Sequence, residues 1–233
     1  MSFSHGAKDR LTHHDLGRFP GDSLFERLGR TLAGVEVLPR KELYEAWEVA
    51  RRTRRRCRGG RVVDVAGGHG LLAHVMLLLD DSSPAAVVVD PTRPPSADVI
   101  SQAITAAWPR LAGRVRYDTR ALDEVPLAPG DVVVSSHACG ALTDRVLEAA
   151  AGAGAPVAVL PCCHDADTCD AGPLSGWMDV ALAVDTIRAL RLEARGYRVW
   201  TQTIPDAITP KNRLLLGVPR VYSPSRPRES GAE

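Results

Sequence analysis

From residue 61 onward the spacing of apolar residues switches repeatedly between two periods. "RVVDVA" (61–66) predicts a strand, and the positions that follow predict a helix over 70–81. "AAVVVDPT" (85–92) is almost wholly apolar at first, as a strand buried on both faces would be. Residues 97–113 have helical spacing, 114–122 predict a short strand, and 130–140 a strand that ends in polar residues. A helix over 141–154 stops on glycines, 156–165 form a fifth strand, and 174–197 read as a long amphipathic helix. Two last strands, 198–205 and 213–220, are joined by "DAITPKN" with no helix between them, which requires antiparallel neighbours. The pattern is that of an α/β, doubly wound, seven-stranded Rossmann-like sheet with an antiparallel last strand. Such a sheet binds ligands at the carboxyl ends of its strands.

Upstream, 22–34 and 39–56 predict two helices. The expected organisation is an N-terminal helical extension (1–60), a sheet domain (61–220) and a disordered tail (221–233). His13 and His14 read as part of a mobile N-terminal segment rather than as ligands. Composition changes this picture little. Hydrophobic residues make up 45% and charged residues 24%, as in ordinary globular proteins, and a net charge of +1 points to no partner. No run of about 18 apolar residues occurs, so no membrane partner is expected. The first residues lack the apolar core of a signal peptide. Five cysteines, an odd number with two adjacent, do not form a disulfide framework, and a reducing cytoplasm is the expected location.

The chemistry begins at "DVAGGHG" (64–70). Glycines between a strand and a helix N-terminus let backbone N–H groups approach a ligand closely. Two ligands fit. Gly68-x-Gly70-x-x-Ala73 matches a dinucleotide fingerprint, with Asp90 where a ribose-binding acid belongs. The same stretch matches the S-adenosylmethionine signature of an acid two residues before a Gly-x-Gly-x-Gly turn, filled here by Asp64, Ala66, Gly68 and Gly70. Asp64 inside the strand and the closing hairpin favour the second ligand. Over residues 61–220 the sequence therefore resembles class I methyltransferases. The resemblance implies a methionyl site at Asp64, Ala66, Gly67, Gly68 and Gly70, ribose hydroxyls on Asp90, adenine near Asp118, and Ser135 among the cofactor-binding residues.

Three further motifs fall at neighbouring strand ends: "SSHACGALTD" (135–144), "LPCCHDADTC" (160–169) and "TPKNR" (209–213). Together they resemble a subgroup of class I methyltransferases with His-x-Cys-Gly, Cys-Cys-His and Lys-Asn-Arg motifs. That subgroup includes tRNA 2′-O-methyltransferases acting on the acceptor stem and related methyltransferase-like proteins. "PRKELYEA" (39–46) resembles a lysine-bearing helix of the same group, whereas the N-terminal zinc-binding region of the tRNA enzymes is absent. The resemblance implies methyl transfer to an oxygen or nitrogen acceptor, on RNA such as tRNA or, alternatively, on a small molecule or a protein. His137 is the first candidate for the base and His164 the second, with Asn212 bonding the acceptor and Lys211 neutralising a phosphate or carboxylate. A plain hairpin turn and strand-end histidines that merely orient loops are the competing readings. A nicotinamide-dependent oxidoreductase and a nonenzymatic module binding an adenosyl ligand or a metal also stay open.

Cys162, Cys163, His164 and Cys169, with Cys139 nearby in the fold, have zinc-ligand chemistry. Adjacent residues on a strand point to opposite faces, which makes joint ligation by Cys162 and Cys163 awkward, and the reading preferred over a metal site is that the thiols are packing groups. Finally, Arg51, Arg52, Arg54, Arg55, Arg56, Arg58 and Arg61 fall within eleven residues. They read either as an RNA phosphate footprint or as a solvated helix C-terminus, where cations favour the dipole.

Overall fold

The protein, described from a computed structural model, is defined for residues 5–6, 8–165 and 167–221. All but the first residue of the expected 221–233 tail lies outside the described residues. Seven strands form one sheet: β1 (Val62–Val65), β2 (Ala86–Val89), β3 (Val115–Asp118), β4 (Val132–Ser135), β5 (Val157–Val159), β6 (Tyr197–Thr203) and β7 (Arg213–Pro219). Their order is β3-β2-β1-β4-β5-β7-β6. The first five run parallel, and β7 is antiparallel to both neighbours, pairing Val157 with Gly217 and Val199 with Gly217. The expected hairpin is present, with β7 inserted between β5 and β6.

Six helices surround the sheet: α1 (Leu24–Ala33), α2 (Arg40–Arg54), α3 (Leu71–Leu78), α4 (Ser96–Ala107), α5 (Ala141–Ala153) and α6 (Val180–Ala194). Alternation along the strands divides the core in two. Val62, Val88, Val132 and Leu216 face one way and pack with α1 to α4. Val63, Val133, Val157 and Leu215 face the other way and pack with α5 and α6. The N-terminal helices share the first core, since Leu28, Leu43 and Val49 are buried with Met76 and Leu214. His13 and His14, expected in a mobile segment, instead begin a 3-10 turn, His13–Arg18, and the His13 N–H donates to Glu36 at 3.1 Å.

Several boundaries moved for local reasons. The helix expected over 97–113 ends at Ala107 because Pro109 restricts Trp108, which adopts φ −134° and ψ 80°. The helix expected from 174 begins at Val180, because Asp179 caps it by accepting from the Leu182 N–H at 3.2 Å. Strands expected to reach 140 and 165 stop at Ser135 and Val159, leaving the two motif segments as loops.

The arginine cluster is mostly structural. Arg54 is 3% exposed, 3.2 Å from the equally buried Asp80, and donates to Ser83 Oγ at 2.7 Å and the Met76 carbonyl at 3.2 Å. Arg61 grips Asp131 with two bonds of 2.9 and 2.6 Å. Arg51 and Arg52 both pair with Glu48 one turn back. Arg55, Arg56 and Arg58 face solvent, and Arg56 stacks over Trp200 at 4.8 Å.

Removing one member of a buried ion pair leaves the other charge uncompensated. Arg54→Ala is therefore expected to cost about 3–5 kcal/mol, and Arg55→Ala less than about 0.5 kcal/mol, in urea unfolding. Equal effects would show that the exposure difference between the two arginines does not matter.

Candidate active site

Asp64 lies on β1 with 1% exposure and faces the α2–α3 side. Its Oδ2 accepts from the Ala73 N–H at 3.1 Å, in the first turn of α3, where unpaired amides favour an anion. Burial dominates nonetheless and pushes its carboxyl up to about 7, with the charge of Asp90 adding to the effect. The turn between them is built around this carboxyl. A Cβ at Gly67 would lie 2.8 Å from Asp64 Cγ and 2.7 Å from Val88 Cγ1, so only glycine fits. Gly70, at φ +73°, begins α3 in the left-handed region. Ala66 also has φ +52°, so the backbone keeps a glycine-like conformation where the signature's first glycine is missing. That conformation costs a non-glycine residue about 1–2 kcal/mol.

Asp90 follows β2 and closes over the same turn. Its Oδ2 accepts from the Gly68 N–H at 3.0 Å and its Oδ1 from the Thr92 N–H at 2.9 Å. Each oxygen keeps a further lone pair for a ligand hydroxyl. A Cβ added at Gly68 would meet nothing within 4 Å, so the space above the turn is open. Asp118 ends β3, and Arg120 holds both its oxygens at 2.9 and 2.5 Å, lowering its pKa to about 2.

The crevice beside the turn is lined by Glu42 and Ala46 of α2, by Asp64, Gly67 and His69, and by Ser136 and His137. His69, unassigned from sequence, pairs through Nε2 with Glu42 Oε2, linking the glycine turn to α2. Its backbone carbonyl also accepts from the Tyr117 hydroxyl at 2.5 Å. Burial pushes the Glu42 carboxyl up, but bonding and attraction from His69 outweigh it, and the pKa is lowered. His137 lies beside this pair with an exposed edge. The protein packed around its ring lowers its pKa; Glu42 opposes that, while His69 and Lys41 add to it.

Ser135 does not face the crevice. Its hydroxyl accepts from the Ala138 N–H at 3.2 Å and it is 1% exposed. Ser136 takes its place, with a buried Oγ that has no hydrogen-bond partner among the described residues. Ser136 belongs to the fourth-strand motif but was passed over for Ser135, and Glu42 was missed because nothing in the spacing distinguishes it from an ordinary helix-surface acid.

The second and third motifs serve a different network. His164 Nε2 bonds Asp185 of α6 at 2.8 Å. Asp185 also accepts from Arg213 Nε at 2.7 Å and lies 3.3 Å from Arg188 Nη1. Arg188, 2% exposed, grips Asp144 at 3.0 and 2.7 Å and the Gly140 carbonyl at 2.9 Å. Burial raises the Asp185 carboxyl, but His164 and Arg213 outweigh it and the pKa is lowered. His164 thus orients a loop. Asn212 spends its amide on the Ile204 carbonyl at 3.0 Å, inside the hairpin turn, and Lys211 is exposed at the tip. Arg213, not Lys211 or Asn212, is the motif residue tied to the other loops.

The expectation for the cysteines needs correction. β5 ends at Val159, so Cys162 and Cys163 lie beyond the strand and its alternation does not apply. Cys139, Cys162 and Cys163 bring their sulfurs within 4.8 Å of one another. Cys169 lies apart, buried, with its sulfur 3.6 Å from Arg188 Nη2.

No protein-family model and no curated protein matches the chain. Among solved structures it resembles an O-methyltransferase family protein from Burkholderia thailandensis, at 21% identity and a TM-score of 0.51, over 91% of this chain and 65% of that one. It also resembles the S-adenosylmethionine-dependent methyltransferase SibL in its apo form, at 22% identity and a TM-score of 0.50, over 91% and 66%. The chain spans about two thirds of the length of those proteins. The likeness establishes the fold: a Rossmann-like methyltransferase sheet with its antiparallel strand in place. Among the described residues no helix is long and apolar enough to cross a membrane.

The raised pKa of Asp64 has a consequence for stability. The unfolded chain releases this proton near pH 4, whereas the native protein holds it to about 7. Between those values each rise in pH favours unfolding. From pH 5 to 8 the wild type should lose roughly 2–3 kcal/mol that Asp64→Asn does not lose, measured by urea unfolding at both pH values. Parallel losses in the two proteins would mean that Asp64 is ionised throughout.

Proposed function

We propose that the protein is a methyltransferase that uses S-adenosylmethionine and methylates an oxygen or nitrogen acceptor. The observation that carries this reading is the buried Asp64 carboxyl clasping the first turn of α3 across a glycine turn that no side chain could occupy at Gly67. A dinucleotide site has no use for a buried acid at that strand position. The turn's open space above Gly68 and the free lone pairs of Asp90 fit a ligand with a ribose and a charged tail. Asp64, Gly67, Gly68 and Gly70 would hold the methionyl end and Asp90 the ribose hydroxyls, with Asp118 toward the adenine. Bound there, the cofactor would supply an already activated sulfonium methyl group.

The chain's own work is placement and proton removal. In-line transfer needs the acceptor about 3 Å from the methyl, and holding it there provides most of the rate. Glu42, His69 and Ser136 form the polar wall against which an acceptor would be oriented. His137, at the open edge of that wall, is the group to take the acceptor's proton. The acceptor is taken to be a small molecule entering the crevice. An RNA acceptor draws little support from the arginine cluster, where four of the seven side chains are committed to Glu48, Asp80 and Asp131.

S-adenosylhomocysteine at 100 times its dissociation constant should stabilise the protein by about 2.7 kcal/mol, and NAD should have no effect. Stabilisation by NAD alone would transfer the site to the dinucleotide reading, and no shift with either would remove the cofactor assignment. Once an acceptor is found by incubating labelled cofactor with RNA, protein and small-molecule pools, His137→Asn should lower kcat by about 10²–10⁴. Binding of S-adenosylhomocysteine should stay intact in that variant. Full activity would exclude His137 as the base.

A further inference from the structure

Three of the five cysteines stand together at the carboxyl ends of β4 and β5. Cys139 Sγ is 3.0 Å from Cys162 Sγ, which is 3.8 Å from Cys163 Sγ, and all three lie within 4.8 Å of one another. Cys139 and Cys163 are exposed and Cys162 is half-buried. We propose that these three thiols form a zinc site with a fourth position open to solvent.

The geometry suits that ion. Tetrahedral zinc with bonds of about 2.3 Å keeps its sulfur ligands roughly 3.8 Å apart. Cys162 and Cys163 already stand at that spacing, the Cys139–Cys162 distance needs to lengthen by less than an ångström, and Cys139 and Cys163 lie within 4.8 Å. Sulfur donors with no carboxylate among them select zinc over magnesium, calcium or manganese. A disulfide between Cys139 and Cys162 would use two of the three thiols and give Cys163 no part. A metal engages all three.

The loops that carry the ligands are fixed independently of any ion. The Gly140 N–H donates to the Cys163 carbonyl at 3.3 Å, tying one ligand loop to the other. The Gly140 carbonyl accepts from Arg188, itself held by Asp144 and Asp185. His164, next to Cys163, is anchored on Asp185. Ligands presented from such an ordered frame need little reorganisation on binding.

The site is independent of methyl transfer and can be tested without it. Full-length protein, reduced and freed of metal, is titrated with zinc against a chromophoric chelator, and separately with cobalt(II) as a spectroscopic substitute. The expected result is one zinc per chain, and a cobalt complex with thiolate charge-transfer bands and the intense visible bands of tetrahedral coordination. Cys139→Ser, Cys162→Ser and Cys163→Ser should each weaken zinc binding by more than about 100-fold, beyond the effect of losing an outer-shell partner. Cys57→Ser and Cys169→Ser should leave it unchanged. Circular dichroism confirms that each variant is folded, and the double variant Cys139→Ser/Cys163→Ser, altered only at exposed positions, covers a failure of Cys162→Ser to fold. No zinc uptake by the reduced wild type, octahedral cobalt spectra, or undiminished binding in the folded double variant would each overturn the proposal.

Discussion

A guanidinium buried to 2% exposure has to be neutralised where it stands, and that requirement organises the carboxyl end of the sheet. Arg188 projects from α6 and draws in Asp144 at the start of α5, Asp185 one turn before it, and the carbonyl of Gly140. Asp185 in turn collects His164 from the loop after β5 and Arg213 from the start of β7. One charge thereby sets the relative positions of two loops, two helices and a strand. Burying such a network is an uncertain source of stability, because desolvation consumes much of the Coulombic gain. Its benefit is geometric: segments that would otherwise be free loops are held in a single arrangement.

Much of this was legible in the sequence. All seven strands and six helices were foreshadowed by period alone, since a doubly wound sheet writes a regular alternation into the chain. The antiparallel ending followed from a connection too short for a crossover helix. Asp64 and the glycines were visible because a charged residue inside an apolar strand is unusual. What stayed hidden depended on contacts between distant segments. Glu42 and His69 are 27 residues apart and meet only because α2 packs on α3. Ser136 and Ser135 look alike as letters, and the strand's last residue decides which hydroxyl turns inward. The orientation of the cysteines was misjudged by extending the fifth strand six residues too far, past Val159 to Asp165, so that alternation was applied to a loop. The ion pairs of the arginines stayed hidden because a run of like charges gives no sign of the acids that the fold brings to it.

The two sides of the crevice are built on different principles. The glycine-turn side consists of backbone and short acids, with Asp90 aligned by the amides of Gly68 and Thr92. Little ordering remains to be done there on binding. The opposite side consists of side chains, Glu42, His69 and His137, and the two imidazoles hold the Glu42 carboxyl down against the effect of its burial. On the proposed function, a scaffold that fixes the cofactor through backbone and leaves the other wall to side-chain identity would change its acceptor by point substitution without disturbing the turn.

The insertion of β7 between β5 and β6 also bears on how the chain comes to be folded. During synthesis β6 leaves the ribosome first, yet it has no partner until the strand that follows has emerged and doubled back. α1 and α2 can pack on α4 and α3 once those helices exist, but the core they share also includes Leu214 and Leu216 and is complete only when that final strand arrives. Long-range closure of this kind is slow and exposes sticky surface in the interval.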